Sequence, residues 1–411
     1  MPRSATLALG ERYPMYVLDA CLVCGSSERT IVAEYNRLIV VDWMWQNELA
    51  RYDYALCHGC GIVYATRRPN HEEYEFLYEH FNEFLKRTVT EQTNIFNYPG
   101  PLTPDIVREL QSALVPWWEL RNANIAENDR VVEPLRWEFH DMLGDLPVLI
   151  RHGELSGSKI LQIRAKSGAF ADLLMRVFGA AQVDVISLFP VCEYVAKEVY
   201  GLRAKSCLDY ENFSVPFDEV YDLILANHML VHCLDYASMF ATINDHLTAD
   251  GWLFIRKELD DTLLFQRGKN LFAELRPFHF QQFDVPVLER ILRRFGFIPH
   301  ELRQKDIKRP EVIGIAARSE RQDFDPIAKE ELEARLALYR EWRDESLISL
   351  PPDRAAALFG DEVEQARARL TARNAFKLDK TGKPRVPRPL RFDDDALPDA
   401  SVKQQSLVAA Q

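Results

Sequence analysis

The first residues whose spacing could do chemistry are four cysteines in two short frames. Cys21-Leu-Val-Cys24-Gly25 and Cys57-His-Gly-Cys60-Gly61 each present two thiolates from one tight turn, and the glycine that follows relieves the strain of wrapping backbone around a sulfur. Four thiolates satisfy a tetrahedral Zn²⁺ completely. A filled shell leaves no position for water or substrate, so such an ion would hold the module together rather than catalyse. A redox dithiol, or cysteine pairs without metal, is the competing reading. Cys192, Cys207 and Cys233 fall in or beside expected core elements, where a lone Cys packs as a small apolar residue. An odd total with CxxC pairs points to metal rather than disulfides. A second constellation is His228-Met-Leu-Val-His232, an HxxxH spacing that lacks the glutamate which follows the first histidine of a zinc protease.

The elements that must position these groups follow from periodicity. Up to about residue 68 the chain has short apolar runs with aromatic breaks and no helical period, a small β-rich module. Asn70 with Glu73 forms a capping-box pattern, and Tyr74, Leu77, Tyr78, Phe81 and Leu85 share a face, which predicts a helix over about 70–86. Thr103-Pro104 opens a tryptophan-rich helical connector to about 145, and Pro116 should stop or kink its first helix. Trp117, Trp118 and Trp137 read as a packing surface there, or as the wall of an acceptor site. From Lys159 onward, KILQIR, VDVISL, LRAKSCL, YDLILAN, GWLFIRK, FGFIPHEL and EVIGIAAR are β-rich, and the first five alternate with helix-length stretches. Helices are expected over about 168–178, 190–200, 235–248 and 284–295. This alternation predicts an α/β fold, a doubly wound and mostly parallel seven-stranded sheet, with one of the last two strands free to run antiparallel.

Past Ser319 a charged helix with a thin stripe of Leu332, Leu336 and Tyr339, opened by Asp325-Pro326, reads as an appended helical arm. The last stretch is basic and proline-punctuated, then acidic, and cannot build a core; it is expected to be disordered, with a possible docking role. The expected division is a zinc ribbon at 1–68, a helical connector at 69–157, the sheet domain at 158–319, the arm at 320–374 and the tail at 375–411.

Composition narrows the partners. Of 411 residues 47% are apolar and 27% charged, an ordinary globular balance at two-domain length. A net charge of -12 gives no global field toward nucleic acid or an anionic membrane, and the stretch between the cysteine pairs carries balanced charge rather than a basic stripe. Nucleic acid is therefore disfavoured. No apolar run approaches the ~18 residues of a membrane span, and the N-terminal residues lack the build of a signal peptide, so a cytoplasmic location is expected.

At the sheet the resemblance becomes specific. The order of cysteine ribbon, helical connector and then FDEVYDLILANHMLVHCLDYASMFATINDHLTADGWLFIRKE resembles a class I S-adenosylmethionine-dependent methyltransferase. YALCHGCGIVYATRRPNHEEYEFLY and RPFHFQQFDVPVLERILRRFGFIPHEL resemble the zinc-ribbon methyltransferases of bacterial sugar and polysaccharide pathways, over about residues 20–318. The resemblance implies structural Zn²⁺ on Cys21, Cys24, Cys57 and Cys60, and S-adenosylmethionine beyond the carboxyl ends of the strands. It places Gln162, Arg164, Ser167, Gly168, Ser187, Asp209, Tyr210 and Asn227 at the cofactor. It places His228, His232 and His279 at a small polar acceptor such as a nucleotide sugar, where an imidazole can take a proton from a hydroxyl.

Within that frame the cofactor residues depart from the family pattern. The first loop, acid-x-Gly-x-Gly-x-Gly in the family, reads Gln162-Ile163-Arg164-Ala165-Lys166-Ser167-Gly168. Arg164 and Lys166 bring two cations near the place of a sulfonium, or Arg164 clamps the methionine carboxylate. Ser187 stands where the family places an acid for the ribose hydroxyls, and Val231 where it commonly places Glu. Glu258 is expected just past the fifth strand as a solvated carboxylate. Two functions follow: a methyltransferase with a rewritten pocket, or a pseudo-methyltransferase that serves as a binding or scaffolding subunit for a protein partner.

Overall fold

The computed structural model describes residues 16–35, 52–68, 104–105, 108, 145–152, 155–165, 168–207, 213–275, 279–306, 309–323, 325–349 and 359–374. The helix expected over 70–86, nearly all of the connector with its three tryptophans, Lys166, Ser167, Asp209, Tyr210 and the tail at 375–411 lie outside the described residues.

In chain order the strands of the N-terminal part are β1 (Tyr16–Val17), β2 (Arg29–Tyr35), β3 (Tyr52–Cys57), β4 (Val63–Ala65) and β5 (Arg67–Arg68). The second part runs α1 (Leu146–His152), β6 (Lys159–Ala165), α2 (Ala169–Arg176), β7 (Gln182–Ser187), α3 (Pro190–Glu198), β8 (Arg203–Ser206), β9 (Tyr221–Asn227), a 3₁₀ turn (Leu230–His232), α4 (Tyr236–Asp245) and β10 (Leu247–Leu259). It continues with α5 (Asp261–Gln266), α6 (Leu271–Glu274), β11 (Gln281–Gln282), α7 (Val285–Arg294), β12 (Phe297–Asp306), β13 (Arg309–Arg318), α8 (Lys329–Ile348) and α9 (Glu362–Asn374).

Seven strands form one sheet in the order β12-β13-β10-β9-β6-β7-β8. From β10 to β8 all neighbours are parallel, and β13 enters antiparallel between β10 and β12. The short β12–β13 connection makes this reversal possible, since a parallel pair needs a long crossover. Caps fix where the helices start: Asp235, Asp260 and Asp284 each accept a backbone N–H at the head of α4, α5 and α7. The start of α1 is held down by Asp145, a buried partner of Arg256 on β10 and of Lys305 on β12.

The ribbon is joined to this domain by a shared sheet. Strands β2, β3 and β4 pair antiparallel, and the fourth strand is β11, with Gln281 opposite Tyr64 and Gln282 opposite Val63. The arm joins it too. In α8, Arg335 is buried and donates to the Gly61 carbonyl at 2.9 Å, pairs with Asp261 at 2.5 Å and bonds Asp284. Tyr339, Trp342, Asp344 and Leu347 are buried along the same helix. The expected stripe of Leu332, Leu336 and Tyr339 does face the core, extended by Trp342 and Leu347, and the buried Arg335 adds a polar anchor to it. Hydrophobic pattern could not show the arginine anchor, whose charge is satisfied internally by Asp261 and Asp284. Ile327, just before α8, bonds the Gly59 carbonyl.

Candidate functional site

The two cysteine turns close identically. Cys21 N–H donates to the Ser26 carbonyl and Gly25 N–H to Cys21; Cys57 N–H donates to Ile62 and Gly61 N–H to Cys57. Gly25 and Gly61 have φ of 76° and 80°, which other L-residues adopt with strain. At Gly61 the surroundings are close as well: a Cβ would lie 2.5 Å from Ile327 Cδ1, and that side chain would have to move aside. The turns bring Cys21 Sγ to 3.6 Å from Cys60 Sγ and Cys24 Sγ to 3.4 Å from Cys57 Sγ, with all four within 4.8 Å of one another. Zinc–thiolate bonds of about 2.3 Å in a tetrahedron put sulfurs about 3.8 Å apart, so this donor set is compatible with Zn²⁺.

A second cluster stands past the carboxyl end of β9. His228, His232 and His279 have ring centroids 5.0, 5.0 and 5.1 Å apart, each pair near perpendicular at 80–87°. The Nε2 atoms of His228 and His279 are 3.2 Å apart. His232 and His279 are buried at 3% and 7% exposure, and His228 is partly exposed.

Three elements aim these rings. His228 N–H donates to the Arg256 carbonyl on β10, which continues the strand pairing by one residue. Met229, Leu230 and Val231 then point their N–H groups at the Glu258 carboxylate, at 2.5, 2.8 and 3.3 Å, and His232 closes the turn by donating to Met229. His279 is carried by the segment that becomes β11. Phe280 N–H bonds the Val231 carbonyl, Ala65 of the ribbon bonds the Phe280 carbonyl, and the Tyr54 hydroxyl donates to the His279 carbonyl at 3.2 Å.

Glu258 corrects the sequence expectation. It lies within β10, not past it, and is 0% exposed, not solvated. The register against β13 breaks between Ile255 and Glu258, the kind of irregularity that redirects a side chain. Burial pushes its carboxyl up to about 7, although three backbone N–H groups and the Arg164 charge pull the other way.

Facing the histidines across the loop is Arg164, and here the backbone is informative. Among the described residues, the non-glycine residues with left-handed backbone are Arg164, φ 58°, and His228, φ 48°, and they touch: the Arg164 guanidinium donates to the His228 carbonyl. At Arg164 the left-handed backbone carries a long side chain, at a cost of roughly 1–2 kcal/mol. One N–H of its guanidinium goes to the His228 carbonyl, which leaves further donors of the five that an arginine carries.

Residues 140–302 match the family described as a methyltransferase domain. That is under half of the 411 residues. No curated protein matches the chain. Among solved structures, a chain of the complex between the Haloferax volcanii Trm112 methyltransferase activator and a methyltransferase is similar at 12% identity and TM-score 0.38, over 47% of this chain and 95% of that one. An S-adenosylmethionine-dependent methyltransferase from Mesorhizobium loti is similar at 16% identity and TM-score 0.35, over 42% and 97%. The N-methyltransferase NodS of Bradyrhizobium japonicum with S-adenosyl-L-homocysteine is similar at 18% and 0.33, over 43% and 85%.

Within the matched segment, Gln162, Ser187 and Asn227 of the expected cofactor residues fall on one face of the sheet. Gln162 pairs with Val185 and with Leu225, and side chains alternate along a strand, so Ser187 and Asn227, two residues further on, share the face of Gln162. Gln162 Oε1 and Ser187 Oγ are buried and have no hydrogen-bond partner among the described residues. A polar atom so buried costs about 1–3 kcal/mol unless a ligand or water satisfies it. Both atoms therefore fit a polar ligand such as an adenosyl group. Asn227 Oδ1 accepts from Arg256 at 3.3 Å. Gly168, φ 87°, precedes α2, and a Cβ there would lie 2.6 Å from Leu202 Cδ1 and 3.2 Å from Ala196 Cβ, so the left-handed backbone and the close packing together favour glycine. Sequence reasoning missed Tyr54 and Gln281, whose side chain bonds the Cys233 carbonyl at 2.6 Å, because both act between segments that are remote in the chain. No helix among the described residues is long and apolar enough to cross a membrane.

Proposed function

We propose that this domain transfers a methyl group from S-adenosylmethionine to a hydroxyl of a small polar acceptor, of the sugar or nucleotide-sugar class. The observation that carries the reading is the contact between Arg164 and His228. Two strained residues hydrogen-bonded to each other at the ends of the central strands β6 and β9 are a costly arrangement, and such strain gathers at functional sites. The methyltransferase family matched by residues 140–302 supplies the reaction class. The resemblance of the ribbon-to-helix segment supplies the acceptor class.

S-adenosylmethionine, when bound, supplies an electrophilic methyl group on a sulfonium. The chain's own part is to seat the cofactor on the face of Gln162 and Ser187, to hold the acceptor hydroxyl at the imidazoles and to take its proton. His228 is the partly exposed ring, with His232 and His279 buried beside it. The same reading gives Cys21, Cys24, Cys57 and Cys60 a structural Zn²⁺, counted as one ion per chain on that cluster.

Calorimetric titration of the zinc-replete chain with S-adenosylmethionine, and separately with S-adenosylhomocysteine, tests the reading. Micromolar binding supports it, and Ser187→Ala should then weaken binding by about 2- to 10-fold, the worth of one hydrogen bond. No heat up to millimolar ligand would overturn it in favour of a binding or scaffolding subunit that has lost the cofactor.

A further inference from the structure

We propose that His228, His232 and His279 form a second metal site, which binds a divalent transition-metal ion of the zinc class through three imidazoles and leaves a coordination position open. Their ligand nitrogens all lie within 4.8 Å of one another. Zinc–imidazole bonds of about 2.0–2.1 Å at tetrahedral angles put nitrogens about 3.3 Å apart, and His228 Nε2 and His279 Nε2 stand at 3.2 Å.

The arrangement has the symmetry of a shell around one point. Three centroid separations agree to 0.1 Å, and every pair of rings is near perpendicular. A proton shared between two imidazoles accounts for one contact; it does not bring a third ring to the same separation from both. The rings are also aimed by backbone rather than by each other. His228 hangs from β10 and Arg164, His232 from the turn on Glu258, and His279 from the ribbon strand and Tyr54. Three neutral nitrogen donors suit Zn²⁺, Cu²⁺, Fe²⁺ or Ni²⁺ and not Mg²⁺ or Ca²⁺, which take oxygen. Three protein ligands plus one open position is the pattern of a catalytic rather than a structural zinc site. If the methyl-transfer reading holds, that position suits an acceptor oxygen; the imidazoles then act as ligands in place of the base, and the hydroxyl, made more acidic by the ion, releases its proton to solvent.

The test counts metal and does not depend on the cofactor. Full-length protein is dialysed against micromolar Zn²⁺, separated from free ion and measured by elemental analysis. Two zinc ions per chain are expected, falling to one in His228→Ala and in His279→Ala, with the far-ultraviolet circular dichroism of His228→Ala matching the wild type and its unfolding midpoint losing the part that added Zn²⁺ contributes. Reconstitution with Co²⁺ distinguishes the sites by spectrum: the cysteine cluster gives thiolate charge-transfer absorption, and the histidine site adds ligand-field bands without it. One ion in the wild type overturns the proposal, as do two ions that persist in both histidine variants.

Discussion

The cysteine and histidine clusters are built by opposite routes. Each cysteine pair comes from a single five-residue turn, repeated with the same two backbone bonds, and the turns need only meet. The histidines come from two loops 51 residues apart at their contact, and each ring is set by a different neighbour: strand β10, a buried carboxylate, and the ribbon. A site made of local turns is closed, stiff and saturated in donors. A site assembled from loops at a sheet edge keeps a side open, and its geometry depends on everything behind it. The ribbon's hold on His279 runs through β11, which pairs with β4, and through the Tyr54 hydroxyl.

The largest effect should come from breaking this asymmetry at its base. Cys57→Ser removes one of four thiolates, and structural zinc sites contribute apparent binding free energies of about 10–16 kcal/mol to the modules they fold. The ribbon should fail to fold. Because β4 then no longer pairs with β11, metal at the histidines should be lost too, so elemental analysis is expected to read no bound zinc for Cys57→Ser and one ion for His279→Ala. Near-ultraviolet circular dichroism should lose the ribbon's tyrosine signal only in the cysteine variant. A cysteine variant that keeps a histidine-bound ion would show the two clusters to be independent.

The same contrast explains what was legible in the sequence. Both CxxCG turns could be read directly, because their chemistry and conformation lie within five residues. The β/α alternation was legible for the same reason, and it placed Asn227 at the end of a strand and His228 in the loop beyond. The family resemblance brings His279 to the other two histidines, but the strand that carries it has no local signal, because β11 is two residues long and belongs to a sheet whose other strands lie more than two hundred residues earlier. Glu258 was misjudged because alternation cannot report a register break. The sequence shows Arg164 only as a charge in a loop that resembles a glycine-rich one; its left-handed backbone and its carbonyl partner on His228 are visible only in the fold.

An intermediate effect should come from Glu258, beneath the histidine turn. The buried carboxyl sits at about 7, against an ordinary 4.5. Between those values the folded chain keeps a proton that the unfolded chain has released, so this group's contribution to stability is complete below about pH 4.5 and is lost as pH rises through 7. At ~1.36 kcal/mol per pH unit the loss is about 3 kcal/mol. Glu258→Gln removes the titration but turns one amide N–H toward donors that need an acceptor. The variant should therefore be less stable than the wild type at pH 5, with the difference shrinking by about 3 kcal/mol toward pH 8, as read by urea unfolding across that range. Parallel curves would mean that the three N–H groups, not burial, govern the carboxylate.

The smallest effect tests the joint itself. The Tyr54 hydroxyl crosses from ribbon strand β3 to the His279 carbonyl, and its ring is wholly enclosed, so Tyr54→Phe deletes one oxygen and leaves the packing in place. A neutral hydrogen bond is worth about 0.5–1.5 kcal/mol, and removing the donor leaves a carbonyl that still has its second lone pair. Global stability should drop by no more than that, and zinc on the cysteines should be unchanged. Affinity at the histidines should fall by about 2- to 10-fold, since the ligand loses one of the bonds that hold it in place before the ion arrives. A competition titration with a chromophoric chelator reads both ions in one experiment. Equal weakening at the two clusters would mean that Tyr54 supports the ribbon as a whole. Weakening at the histidines alone would mark this one hydroxyl as the contact through which the closed cluster positions the open one.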